Sequence, residues 1–100
     1  MAIFHAVLFK LKPGVSGTQL AELKMAGLEM LGTVPGLQSF NMGPPLPSTA
    51  RRAQGFNMAI MTIIDTEENL LAYAGHPGHL KVHNMRLALC DETVVYDLAI

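Results

Sequence analysis

Two of the chain's four histidines and one of its two tyrosines fall within the segment Tyr73-Ala74-Gly75-His76-Pro77-Gly78-His79. Histidine exchanges a proton near neutral pH and so can act as a general acid or base. A tyrosine hydroxyl can hold a carbonyl or enolate oxygen through a hydrogen bond. Pro77 and Gly78 put a turn between the two, which frees Tyr73 and His79 from helical spacing. The combination suits proton transfer at a carbon next to a carbonyl. A helix break carrying surface histidines would have the same residues, so the segment alone leaves both readings open.

The other candidates are weaker. His5 lies within an apolar stretch; a buried imidazole there needs a partner, and Tyr73 or His79 could supply one. His76, beside Pro77, could cap a backbone carbonyl near a helix end. His79 and His83 are four apart, the spacing of a metal-binding pair on a helix. No Glu follows His79, and no cysteine or further carboxylate is placed to join them, so no metal is expected. Cys90 is the only cysteine. It cannot form an internal disulfide, fits a reducing compartment, and reads as a small buried residue rather than a nucleophile. Met25, Met30, Met42, Met58, Met61 and Met85 read as soft filling of a core or an interface. Arg51 and Arg52 read as a solvated pair; they would meet an anionic substrate only if their loop folded over the pocket mouth.

The elements that must position these residues follow from periodicity. Residues 3–11 are almost wholly apolar and too short for a typical helix, which predicts a strand ended by Pro13-Gly14. Ser16 and Gln19 have capping-box spacing, and Leu20, Leu23, Gly27, Leu28 and Leu31 recur at helical spacing. A helix over about 17–32 follows, stopped by Gly32 and Pro35. Residues 37–42 alternate as a second strand, 43–55 form a long loop, and 56–64 form a third strand. Asp65 is the expected cap of the next helix, which carries Tyr73. Gly75-His76-Pro77-Gly78 interrupts it, a helical stretch over 79–89 follows, and 93–98 is the fourth strand. The order βαββαβ predicts a ferredoxin-like α+β fold in a single domain, 1–100.

In the first strand Ile3, His5, Val7, Phe9 and Leu11 point one way and Phe4, Ala6 and Leu8 the other, and both sets are largely apolar. Residues 56–64 show the same doubly apolar pattern. An antiparallel sheet with one wet face should carry polar residues there. The chain has no strands to spare, so a second copy is expected to cover that face as a homodimer. Composition agrees: half of the residues are hydrophobic and only 15% are charged. The formal net charge is -1, and no basic run exists, which argues against a nucleic-acid partner. No apolar run approaches the ~20 residues of a membrane span, and residues 1–5 lack a leader's positive region. A cytoplasmic protein is expected.

His76-Pro77-Gly78-His79, the opening residues 5–12, the Val34-Pro35-Gly36-Leu37 turn and the closing Val94-Val95-Tyr96-Asp97 together resemble the stress-responsive A/B barrel domain (Dabb) family. The resemblance runs from about residue 3 to residue 98. It implies a dimeric α+β barrel binding a small molecule without a cofactor. Some members, of the olivetolic acid cyclase type, are polyketide cyclases that close a linear tetraketide thioester by aldol condensation. By that likeness His79 is the general base, Tyr73 its partner and His5 a third catalytic residue, with His76, Leu23, Gly27 and Val82 as substrate contacts. Those cyclases carry bulky aromatics on the first helix, whereas residues 23–28 here read Leu-Lys-Met-Ala-Gly-Leu, which implies a different pocket. The expectation is an acid–base enzyme, a polyketide cyclase-like lyase. The alternatives are a non-catalytic stress-responsive binding or protective dimer and a cofactor-free monooxygenase; the absence of tryptophan counts slightly against the last.

Overall fold

The chain is described over residues 1–100 by a computed structural model. It forms β1 (Ile3–Leu11), α1 (Gly17–Leu28), β2 (Leu37–Gly43), β3 (Met58–Ile64), α2 (Glu67–Gly75), α3 (Pro77–Leu89) and β4 (Cys90–Ala99). The strands make one antiparallel sheet in the order β2-β3-β1-β4. With helices returning the chain from β1 to β2 and from β3 to β4, this is the ferredoxin-like α+β arrangement. No helix is long and apolar enough to cross a membrane.

The caps explain where the helices start. Ser16 Oγ accepts from the Gln19 backbone N–H at 3.1 Å, and Gln19 Oε1 accepts from the Ser16 N–H at 2.8 Å, a complete capping box. At α2 the cap is Thr66 rather than Asp65. Thr66 Oγ1 accepts from the Asn69 N–H at 3.1 Å, while Asp65 Oδ1 accepts from Asn69 Nδ2 at 2.7 Å. Both oxygens thus serve Asn69, one its backbone and one its side chain. The strand β4 starts at Cys90, three residues before the expected Thr93. A register shift between Lys10 and Leu11 lets Leu11 pair with Cys90, and Lys12 N–H donates to Leu89 O.

The buried side of α1 also differs from expectation. Leu23, Ala26 and Gly27 of the helix, with Met30 just past it, are buried, whereas Leu28 and Leu31 are exposed. The helix ends at Leu28 rather than near residue 32, so Leu31 falls in the turn beyond it, and Gly27 marks the side that packs on the sheet. A Cβ there would lie 2.0 Å from Phe40 Cζ, so the ring of β2 packs against bare helix backbone. Gly27→Ala gains about 1 kcal/mol of helix propensity but must displace that ring. Overpacking a core costs about 1–3 kcal/mol. A lower melting temperature is expected, and a higher one would show that the ring yields freely.

Ile3, His5, Val7 and Phe9 of β1 are buried beneath the helices, as the alternation predicts. No helix packs on the other face: Ala6 is buried, Phe4, Leu8, Ala59 and Met61 are half-buried, and Pro44, Pro45 and Ala53 of the 43–55 loop border Leu8. Across it, Phe4 pairs with Ile63 and Leu98, Ala6 with Met61 and Tyr96, and Leu8 with Ala59 and Val94. On β4, Val94, Tyr96 and Leu98 are 47, 65 and 51% exposed.

Candidate active site

Three elements deliver His5, Tyr73 and His79 to one place. His5 projects from β1 toward the helices, in register with Thr62 on one side and Asp97 on the other. Tyr73 occupies the last turn of α2 and is buried. His76 then breaks the helix with an extended backbone, and its Nδ1 caps α3 by accepting from the Gly78 N–H at 3.0 Å. It therefore caps an amide rather than a carbonyl. Pro77 opens α3 where its missing N–H costs nothing. The break turns the first residues of α3 back onto α2, so His79 meets Tyr73 with ring centroids 4.3 Å apart. His5 stands edge-on to Tyr73 at 5.7 Å, and His83 lies 5.8 Å beyond His79.

Hydrogen bonds fix which nitrogen of each imidazole carries the proton. His79 Nδ1 lies 3.1 Å from the Ala74 carbonyl, which can only accept, so Nδ1–H donates and Nε2 keeps its lone pair. His5 Nδ1 faces the Asp97 carboxylate in the same sense. His83 Nδ1 receives a guanidinium N–H from Arg86 at 3.1 Å, so its proton is on Nε2. His76 likewise accepts through Nδ1. His79 thus offers a basic Nε2, His5 turns its Nε2 away from Asp97, and His83 offers an N–H.

The electrostatics sort roles further. His79 is held below the ordinary imidazole value of 6.5, chiefly by burial. The Ala74 carbonyl opposes this, and His83, His5 and Arg86 add to the depression. Burial pushes the Tyr73 phenol up to about 12, so it is a neutral donor throughout the physiological range. At neutral pH the pair is an unprotonated imidazole beside a protonated phenol.

A cavity of about 220 Å³ opens between α3 and the sheet, with His5, Tyr73, His79, His83 and Arg86 supplying its polar wall. Val82 lines its apolar part with Val7, Ile60 and Val95. The three rings of His5, Tyr73 and His79 also border a second hollow of about 210 Å³ beside Leu70, Leu71 and Asp97. Other expected contacts lie elsewhere. Leu23 is fully buried in the core, and Gly27 is closed off by Phe40. His76 faces a separate hollow with Val34 and Pro35, because its capping bond holds it behind Tyr73. Arg51 and Arg52 are exposed on the 43–55 loop, where Arg51 Nη1 donates to Ser48 O, and neither borders this cavity. The cation at the cavity is Arg86. No group of three or more His, Cys, Asp or Glu side chains is arranged to hold a metal ion.

Sequence reasoning did not reach Arg86 or Asp97. A lone arginine on a helix and an aspartate on an edge strand look like solvent-facing residues. The available signal for Asp97 was its place opposite His5 once β4 is paired with β1.

Comparison with known proteins places this architecture. Residues 3–100 match the family described as the stress responsive A/B barrel domain. A stress-response A/B barrel domain-containing protein of Arabidopsis thaliana is 24% identical over 93 residues, covering 93% of this chain and 84% of its own length. A dimeric ferredoxin-like protein of unknown function from Jannaschia superposes with a TM-score of 0.87 at 21% identity, covering 100% of both chains. A hydroxynitrile lyase from Passiflora edulis superposes with a TM-score of 0.81 at 22% identity, over 99% of this chain and 93% of the other. At these identities the structural likenesses establish the fold.

Proposed function

Because the chain belongs to the stress-responsive A/B barrel domain family, we propose that it is a homodimeric acid–base enzyme acting on a small polyketide-like carbonyl compound. The observation that carries the reading is the contact of Tyr73 with His79 on a cavity, with His79 Nδ1 tied to Ala74 O. His79 Nε2 takes a proton from a carbon next to a carbonyl. The electron pair of that C–H bond forms a C=C bond, the carbonyl π pair moves onto oxygen, and the enolate oxygen accepts a hydrogen bond from Tyr73. In an aldol-type cyclisation the enolate carbon then attacks a second carbonyl, and the new alkoxide recovers the proton from His79. His5, anchored by Asp97, positions the Tyr73 ring. A hydroxynitrile lyase on the same fold supports lyase chemistry for this scaffold.

The first step can be tested without the natural substrate. Small methyl ketones and keto acids are incubated with the protein in D₂O, and deuterium entering next to the carbonyl is followed by NMR. Saturable exchange above a free-imidazole control is expected. Exchange no faster than that control for the whole set would sink the enzyme reading and leave a binding or protective dimer.

The dimer rests on the apolar face of the sheet that carries no helix; the Jannaschia relative is itself dimeric. Sedimentation equilibrium at micromolar concentration should give about twice the 10.8 kDa chain mass. A folded species of single mass would reject it.

A further inference from the structure

Arg86 is 7% exposed, yet it belongs to none of the chain's ion pairs, which join His5 to Asp97, Lys10 to Glu92 and Lys81 to Glu29. None of its hydrogen-bond partners is a carboxylate. Nη1 donates to Thr93 Oγ1 at 2.5 Å and to Cys90 Sγ at 3.6 Å, and Nη2 donates to His83 Nδ1 at 3.1 Å. The guanidinium also lies 5.9 Å from the centre of the Phe9 ring. A buried charge is costly unless an opposite charge meets it, and arginine cannot escape the cost by losing its proton. Three of its N–H groups are engaged, and about two of the five in any guanidinium are left over.

We propose that Arg86 and His83 form a seat for a carboxylate, so that the ligand of this cavity is a small organic acid. Both residues line the cavity of about 220 Å³. His83 accepts from Arg86 through Nδ1 and so turns a second donor, Nε2–H, outward from the same pair. Guanidinium is the group best matched to a carboxylate. His83 of the seat lies 5.8 Å from His79, and the rest of the cavity lining is apolar, made by Val7, Ile60, Val82 and Val95. The cavity falls below the ~300 Å³ at which sites for drug-sized ligands begin, so the acid is small. The seat deepens the reading above by naming the substrate class: a carboxylate anchored at Arg86 carries its acidic C–H toward His79. It holds equally if the cavity binds without turnover.

Benzoate and its neutral isostere benzamide separate charge recognition from shape. Titration of the wild-type protein, followed by calorimetry and NMR shifts of the Val82 and Val95 methyls, should show benzoate binding at least tenfold more tightly. Arg86→Met should erase that preference, and Arg86→Lys should keep part of it. Equal affinities, no binding of either probe, or a preference unchanged in folded Arg86→Met would each overturn the seat. If Arg86→Met does not fold, the wild-type comparison and Arg86→Lys still decide. Failure of the ketone exchange with benzoate preference intact rejects only the enzyme reading. Exchange of neutral ketones without benzoate preference rejects only the seat.

Discussion

His79→Ala is expected to lower the rate of proton exchange at a bound ketone by about 10²–10⁴-fold, the usual worth of a positioned general base. The fold should survive, because the ring's one hydrogen bond is to the Ala74 carbonyl at the end of α2, beside solvent. Tyr73→Phe should cost less. It removes one neutral donor to a charged oxygen, worth about 1.5–3 kcal/mol, or roughly 10- to 100-fold. The pH profile distinguishes the two residues. Burial lowers the His79 pKa, so the ring is already neutral at pH 7 and stays competent below the ordinary value of 6.5. Wild-type activity should therefore hold through 6.5 as pH falls and decline only as the shifted pKa is crossed. His79→Ala should lose that acid limb altogether. With Tyr73 up at about 12, no basic limb from the phenol is expected near neutrality. A residual activity in His79→Ala that keeps the wild-type acid limb would move the base to His5, the other imidazole with a free Nε2.

The juxtaposition of Tyr73 and His79 was legible in the sequence because its cause is local. Pro77 and Gly78 forbid one continuous helix, and any second helix starting there must present its first turn to the end of the first. The opposed faces of β1 were legible for the same reason, since a strand alternates regardless of what it packs on. What was hidden depends on pairing. Asp97 reaches His5 only through the antiparallel register of β1 with β4, ninety-two residues apart in sequence. Arg86 is buried because α3 runs directly into β4, so that Thr93 and Cys90 come back beneath it. The substrate contacts assigned to Leu23 and Gly27 followed a family likeness on α1. In this chain, glycine at 27 admits Phe40 and closes that side, leaving the cavity to α2, α3 and the strands β1, β3 and β4.

Leu8→Lys should dissociate the dimer while leaving a folded chain. Leu8 sits in the middle of the helix-free face, between Ala59 of β3 and Val94 of β4. Its apolar neighbours there, Phe4, Ala6, Met61 and Tyr96, offer no carboxylate. The nearest acid on that face, Glu92, already holds Lys10 at 2.6 Å. In an isolated chain Leu8 is half-buried, and a flexible lysine there can carry its ammonium out to water at little cost. In a face-to-face dimer two ammonium groups are buried near the symmetry-related contact, each at a cost of several kcal/mol if unpaired. Even ~2 kcal/mol from each copy weakens association about 10³-fold, since every 1.4 kcal/mol is tenfold. Sedimentation should then report the single-chain mass, with a far-ultraviolet dichroism spectrum like that of the wild type. Leu87→Lys, on the exposed side of α3, serves as the control and should remain dimeric. A Leu8→Lys protein that associates as tightly as the wild type would put the partner on some other surface. The apolar exposure of Val94, Tyr96 and Leu98 would then need a different occupant.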